Sequence, residues 1–241
     1  LTNPKHKKDI MKPLLHNKTL EFTPVGSTAH KERLHASLLL LAGGRGSRMG
    51  GRNKLYLELE GSLLIEGTLE IVAPLFKEVI MLVAPGESPV VKDVLSPLIR
   101  RWDITVVEDR VSSRGPLEGL YNGLYRMKEE WGFLLGCDMP SPDPEVILGM
   151  NCFCSVNNDA VVAERLGFLE PLHAFYRKSC IGPVSDAISR GDRKIKHFYR
   201  DIRLTVINEN KLKEFGDDGS SFFNLNTPHD VEKMILSQEV R

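Results

Sequence analysis

The chain has 241 residues, with 32 Lys and Arg balanced by 32 Asp and Glu, so its formal net charge is zero. That balance excludes bulk, sequence-independent nucleic-acid binding, which needs a basic surface, and leaves room only for a local basic groove. Hydrophobic residues make up 41% and charged residues 27%, an ordinary globular mixture. Apolar runs such as Leu38 to Ala42 are far too short to span a bilayer, and no membrane partner is expected.

The four cysteines, Cys137, Cys152, Cys154 and Cys180, form no CxxC pair, and no His-x-x-x-His pattern completes a zinc site with them. They read as buried or idle thiols of a reducing compartment. The polar N-terminus lacks the apolar core of a signal peptide, so a cytoplasmic location is expected.

Residues 1–33 read as a flexible N-terminal extension, with Lys5, Lys7, Lys8 and Lys12 set among Pro4, Pro13 and Pro24. Residues 34–241 read as one α/β domain. Leu38–Ala42 is a continuous apolar run ending in glycines, as a buried parallel strand does. Ser62–Phe76 carries apolar residues at helical spacing, and Val79–Ala84 is a second buried strand. Ser88 is expected to cap a helix running toward Arg101 with a break at Pro97. Ile104–Val107 is a strand, Pro116–Glu130 a helix and Gly132–Cys137 a strand. Strands separated by such helices imply right-handed crossovers and a mostly parallel twisted sheet with helices on both faces.

Further on, Ala160–Ala163 and Leu172–Tyr176 read as antiparallel strands, and Ser179–Arg190 and Arg193–Tyr199 as helices. Leu204–Ile207 and Phe222–Leu225 are strand candidates. Thr227-Pro228-His229-Asp230 opens a last helix, with a Thr cap, Pro at the first position and an acid at the third.

The chemistry concentrates in Leu41–Lys54, where a buried strand feeds a loop with five glycines, three arginines and a lysine. Glycines let the backbone approach a phosphate and the cations neutralise it. The P-loop pattern fails at Asn53-Lys54-Leu55, and the dinucleotide fingerprint fails at Met49. Asp138 follows a buried strand and precedes Met139-Pro140, where a carboxylate can hold Mg²⁺ together with phosphate oxygens. Asp109 ends another strand, and Gly115-Pro116-Leu117-Glu118-Gly119 opens the next helix. Three strand ends and two glycine-rich turns on one sheet edge make a nucleotide site.

These residues resemble the molybdenum cofactor guanylyltransferases from about Leu38 to Glu232. The resemblance rests on Leu41-Ala42-Gly43-Gly44, Arg48-Met49-Gly50-Gly51 and Lys54, then Glu108-Asp109, Gly115-Pro116-Leu117-x-Gly119, Cys137-Asp138-x-Pro140 and Asn224-x-Asn226-Thr227-Pro228. It implies a single-domain Rossmann-like nucleotidyltransferase fold over 34–241. The implied reaction moves GMP from Mg-GTP to the terminal phosphate of Mo-molybdopterin, releasing pyrophosphate. Carried over by position, Leu41, Ala42 and Gly43 would meet guanine through the backbone, and Arg48 and Lys54 would face the triphosphate. Asp109 would belong to the nucleotide site, and Asp138 would hold Mg²⁺. Gly115, Gly119, Arg193, Asn224 and Asn226 would serve the molybdopterin side. Implied partners are GTP and Mo-molybdopterin, with other cofactor-biosynthesis proteins or molybdoenzyme chaperones downstream.

Two departures stand out. Val83-Ala84 replaces an Asn common near the end of the second strand, and Glu118 stands where small residues are usual. Rival readings are a cytidylyltransferase, a sugar- or alcohol-nucleotide transferase of the same fold, and a non-catalytic GTP-binding delivery protein. Gly43-Gly44 after Leu41-Ala42 favours guanine. Retention of Arg48, Lys54 and Asp138 together argues for catalysis. His173, in Glu170-Pro171-Leu172-His173, is either a satisfied structural histidine or a border of the second substrate. The basic run Arg190–His197 is either a solvated helix start or a lip for an anionic pterin.

Overall fold

The computed structural model describes residues 32–42, 54–59, 61–109, 115–225 and 230. The expected extension up to residue 31, most of the glycine-rich loop and the last helix beyond its residue 230 lie outside them. The first strand, β1 (Leu34–Leu41), is followed by a small hairpin of β2 (Glu58–Leu59) and β3 (Ser62–Leu63), helix α1 (Leu64–Val72) and β4 (Phe76–Val83). Next come α2 (Ser88–Val94), α3 (Ser96–Trp102), β5 (Ile104–Glu108), α4 (Pro116–Arg126), β6 (Trp131–Gly136) and α5 (Pro144–Asn151). The hairpin β7 (Ala160–Arg165) and β8 (Phe168–Arg177) leads to α6 (Ile181–Ser189), β9 (Leu204–Ile207) and α7 (Glu209–Glu214).

Among the described residues the main sheet has seven strands in the order β5-β4-β1-β6-β8-β7-β9. β8 alone runs against the rest, antiparallel to both β6 and β7. Alternation along β1 explains the two-sided burial. Leu38 and Leu40 pack with Ile65, Leu69, Val91 and Val146 on one face. Leu39 and Leu41 pack with Leu117, Leu120, Leu124 and Val184 on the other. A strand buried on both faces needs no polar side, hence its unbroken leucines.

Several elements differ from the sequence expectation, each for a local reason. Ser88 does not cap; it is the first residue of α2, preceded by Glu87, with Pro89 and no side-chain cap. The Glu108 carboxylate instead accepts the N–H groups of Gly86 (2.7 Å) and Ser88 (3.3 Å), so the cap comes from a neighbouring strand. Pro97 coincides with a break, since α3 starts as a separate helix at Ser96. α4 stops at Arg126 rather than Glu130, because Met127 turns extended and the Lys128 N–H is taken by Glu78 (2.9 Å). Residues 195–201 form a 3-10 helix, Ile195–Asp201, in place of the expected α-helix. Phe222–Leu225 is not a strand: Ser220–Phe222 is a 3-10 turn and the chain then pairs with a loop. The sequence reading lacked α5 and α7, whose Asp143 and Asn208 N-caps accept from Glu145 N–H (2.8 Å) and Lys211 N–H (3.0 Å).

Candidate functional site

β5, β4, β1 and β6 lie side by side and parallel, so their carboxyl ends share one edge. The ladder runs one residue past each strand. Ala42 N–H donates to Leu82 O (2.8 Å), Cys137 N–H to Leu41 O (3.1 Å) and Asp109 N–H to Val83 O (2.9 Å). Leu41, Ala42 and Asp109 are thus held by the sheet rather than by a loop. The Ala42 N–H is already used. Carbonyls suit base N–H donors; that of Leu41, already accepting from Cys137 N–H, would do so through its second lone pair.

Asp109 follows β5 and Asp138 follows β6, three strand positions apart, roughly 14 Å at the spacing of neighbouring strands. Their side chains cannot share one ion. Asp109 marks one end of this stretch of the edge and Asp138 the other.

At the Asp109 end, α4 opens with Gly115 at φ 73°, a left-handed conformation that favours glycine. A Cβ there would sit 3.0 Å from Arg193 O, and one at Gly119 would sit 2.4 Å from Leu41 Cδ1 and 4.0 Å from Asp109 Oδ2. The missing side chains let α4 close on β1 and bring the Arg193 backbone to the helix start. Asn122 donates to Asp109 Oδ1 at 2.9 Å. Burial pushes the Asp109 carboxyl up to about 6; the Asn122 bond works against that and the charge of Glu118 adds to it. Glu118 lies buried in the first turn of α4. Asn122, which sequence reasoning passed over, was signalled only by its place one helical turn after Glu118.

At the other end, a Cβ on Gly136 would lie 2.6 Å from Asp138 Oδ1, so the carboxylate occupies a cradle that exists only because residue 136 is glycine. Met139 N–H donates to Gly136 O (3.1 Å) and closes the turn, and Leu225 N–H donates to Asp138 O (2.8 Å), bringing Asn224 beside this loop. No group of three or more His, Cys, Asp or Glu residues able to hold a metal occurs among the described residues. A carboxylate at a strand end fits Mg²⁺, which takes one or two carboxylates plus phosphate oxygens and water, rather than a metal that needs a full protein cage.

Leu41, Ala42, Asp109, Gly115, Gly119, Asp138, Arg193 and Asn224 therefore gather along this edge, while Gly43, Arg48, Asn226 and the Lys54 side chain lie outside the described residues. His173 is fully buried, so the structure removes it from any direct border with substrate. Its Nε2 lies 2.9 Å from Ser221 Oγ, and burial pulls its pKa down to about 3.

Residues 38–206 match the MobA-like NTP transferase domain. The chain is 30% identical over 202 residues to a probable molybdenum cofactor guanylyltransferase of Natranaerobius thermophilus, covering 83% of this chain and 94% of that one. It is 30% identical over 209 residues to the similarly described protein of Methanosarcina mazei, covering 85% and 92%. The crystal structure of molybdopterin-guanine dinucleotide biosynthesis protein A from Archaeoglobus fulgidus superposes with a TM-score of 0.68 at 26% identity, over 84% of this chain and 99% of that one. The inositol-1-phosphate CTP transferase of T. maritima shares the fold at a TM-score of 0.66 and 13% identity, over 87% and 97% of the two chains.

Proposed function

The chain belongs to the MobA-like NTP transferase family and is a nucleotidyltransferase, and from that premise we propose that it transfers GMP from Mg-GTP to the terminal phosphate of Mo-molybdopterin. The observation that carries the reading is the shared edge of β1, β5 and β6, with Asp109 and Asp138 far enough apart along it for a nucleotide to lie between them. Similarity to guanylyltransferases over most of the chain supports guanine and the pterin acceptor.

Attack of one phosphate on the α-phosphorus of another brings two anions together. The protein's task is positioning and charge neutralisation, with little proton transfer because the attacking phosphate is already ionised. In this reading the carbonyls of Leu41 and Ala42 accept from the guanine N–H groups, and Asp109, steadied by Asn122, closes the base and ribose end. Arg48 and Lys54 neutralise the triphosphate. Asp138 would hold Mg²⁺, which supplies charge neutralisation at the phosphates when bound. Gly115, Gly119, Arg193, Asn224 and Asn226 form the acceptor side.

Calorimetric titration with GTP, CTP and ATP, with and without Mg²⁺, tests the base. GTP alone is expected to bind tightly, and a preference for CTP would move the reading to a cytidylyl donor. Asp138→Asn keeps the size of the side chain and removes its charge. It is expected to lower dinucleotide formation by at least about a hundredfold with the thermal midpoint unchanged; undiminished turnover would sink the metal assignment.

A further inference from the structure

Resting on that reading of the acceptor side, we propose that His173 and Ser221 are a positioning pair that sets the register of the Asn224 segment against the Asp138 loop, and thereby the presentation of the acceptor phosphate. Two hydrogen bonds join the segments: Leu225 N–H to Asp138 O (2.8 Å) at one end and Asp143 N–H to Ser221 Oγ (2.9 Å) at the other. His173 ties this pair of loops to β8, its Nε2 2.9 Å from Ser221 Oγ, while Arg165 of β7 covers the neighbouring Phe222 ring at 5.5 Å.

The strand is shaped to aim it. β7 pairs Ala163 with Glu170 but Val162 with Ala174, so Pro171, Leu172 and His173 bulge out of register. Pro171 has no N–H for the ladder, and bulges beside sites commonly re-aim a side chain. On its other side His173 stays in register with Leu135 of β6, just before the Gly136-Cys137-Asp138 turn. Phe133 and Phe222 hold the ring, with centroids at 5.0 and 4.5 Å.

Ser221 Oγ accepts from Asp143 N–H and keeps both its proton and a second lone pair for His173 Nε2, so the contact holds in either neutral tautomer of the ring. Nδ1 meets no polar group of another residue among the described ones and has only the backbone of His173 itself within reach. A buried polar atom left so costs stability that a phenylalanine in the same space would not. The ring is therefore retained for what Nε2 does, which is to orient Ser221. Neither residue reaches the reacting atoms.

The test compares the full chain with Ser221→Ala, His173→Phe and His173→Gln, the last restoring a hydrogen-bonding group near the Nε2 position. GTP affinity, read by calorimetry, is expected to stay unchanged in all three. Ser221→Ala and His173→Phe should lose about tenfold or more in kcat/KM for Mo-molybdopterin, the scale set by sub-ångström misplacement of a reactant, and His173→Gln should recover part of it. The pH–rate profile should keep its shape in His173→Gln, because the ring stays neutral. Unchanged kcat/KM, a parallel loss of GTP affinity, or an ionisation removed with His173 would each overturn the pair's role. If the wild-type chain itself transfers nothing to Mo-molybdopterin, the functional reading fails separately. The pair is then judged by amide exchange, and Leu225 and Asp143 amides equally protected in Ser221→Ala would overturn it.

Discussion

A carboxyl held up to about 6 at Asp109 has a stability consequence that runs opposite to the usual acidic residue. The folded chain keeps this proton more tightly than the unfolded one. Its contribution to stability is thus full below the ordinary carboxylate range and lost as pH rises through about 6. Asp109→Asn removes the buried charge and can still accept from Asn122. We expect a higher thermal midpoint than wild type at neutral and alkaline pH, with the gap closing as pH falls below 6; melts across pH read this directly. The same variant should bind GTP more weakly. Sequence placed Asp109 and Asp138 at strand ends because each follows a short apolar run. It could not reveal Asn122 as a partner of Asp109, since that contact depends on how closely α4 packs on β1. Ser221 was equally hidden, because its partners come from β8 and the start of α5.

Elements with strong periodicity or flanking breakers were legible: β1, β4, β5, β6 and the β7–β8 pair all lie within a few residues of expectation. Those that failed depended on groups from elsewhere in the chain. Glu108 supplies the cap expected of Ser88, and the run after Phe222 pairs with the Asp138 loop instead of a strand. The β7–β8 turn carries a local conflict. Leu166 and Gly167 both have positive φ, 49° and 76°, and Leu166 is 79% exposed. Such a two-residue turn prefers Asn-Gly, and a leucine there costs about 1 kcal/mol. Leu166→Asn is expected to raise stability by about that amount, seen as a higher midpoint in urea with an unchanged slope. The backbone N–H of Leu166 would keep its bond to Glu209.

Across the whole molecule, the two apolar layers on either face of β1 were foreshadowed by its unbroken leucines. The strand order was not, because β1 pairs with strands that follow it by very different distances along the chain. The thiols report on this packing. Burial pushes Cys180 and Cys154 up to about 12, while Cys152 is exposed. Iodoacetamide near pH 8 should modify Cys152 promptly and reach Cys180 only as fast as the molecule opens. Prompt labelling of Cys180 would contradict the closed core. The reversed strand has a further consequence for the lineage. Because β8 runs against β6, the β7–β8 tip projects from the edge that carries Asp109 and Asp138. Lengthening both arms by two residues would extend that tip by about 7 Å while leaving every inward-facing side chain facing inward. Descendants of this fold could therefore remodel this end of the edge in even steps, acquiring new acceptors without disturbing the layers beneath.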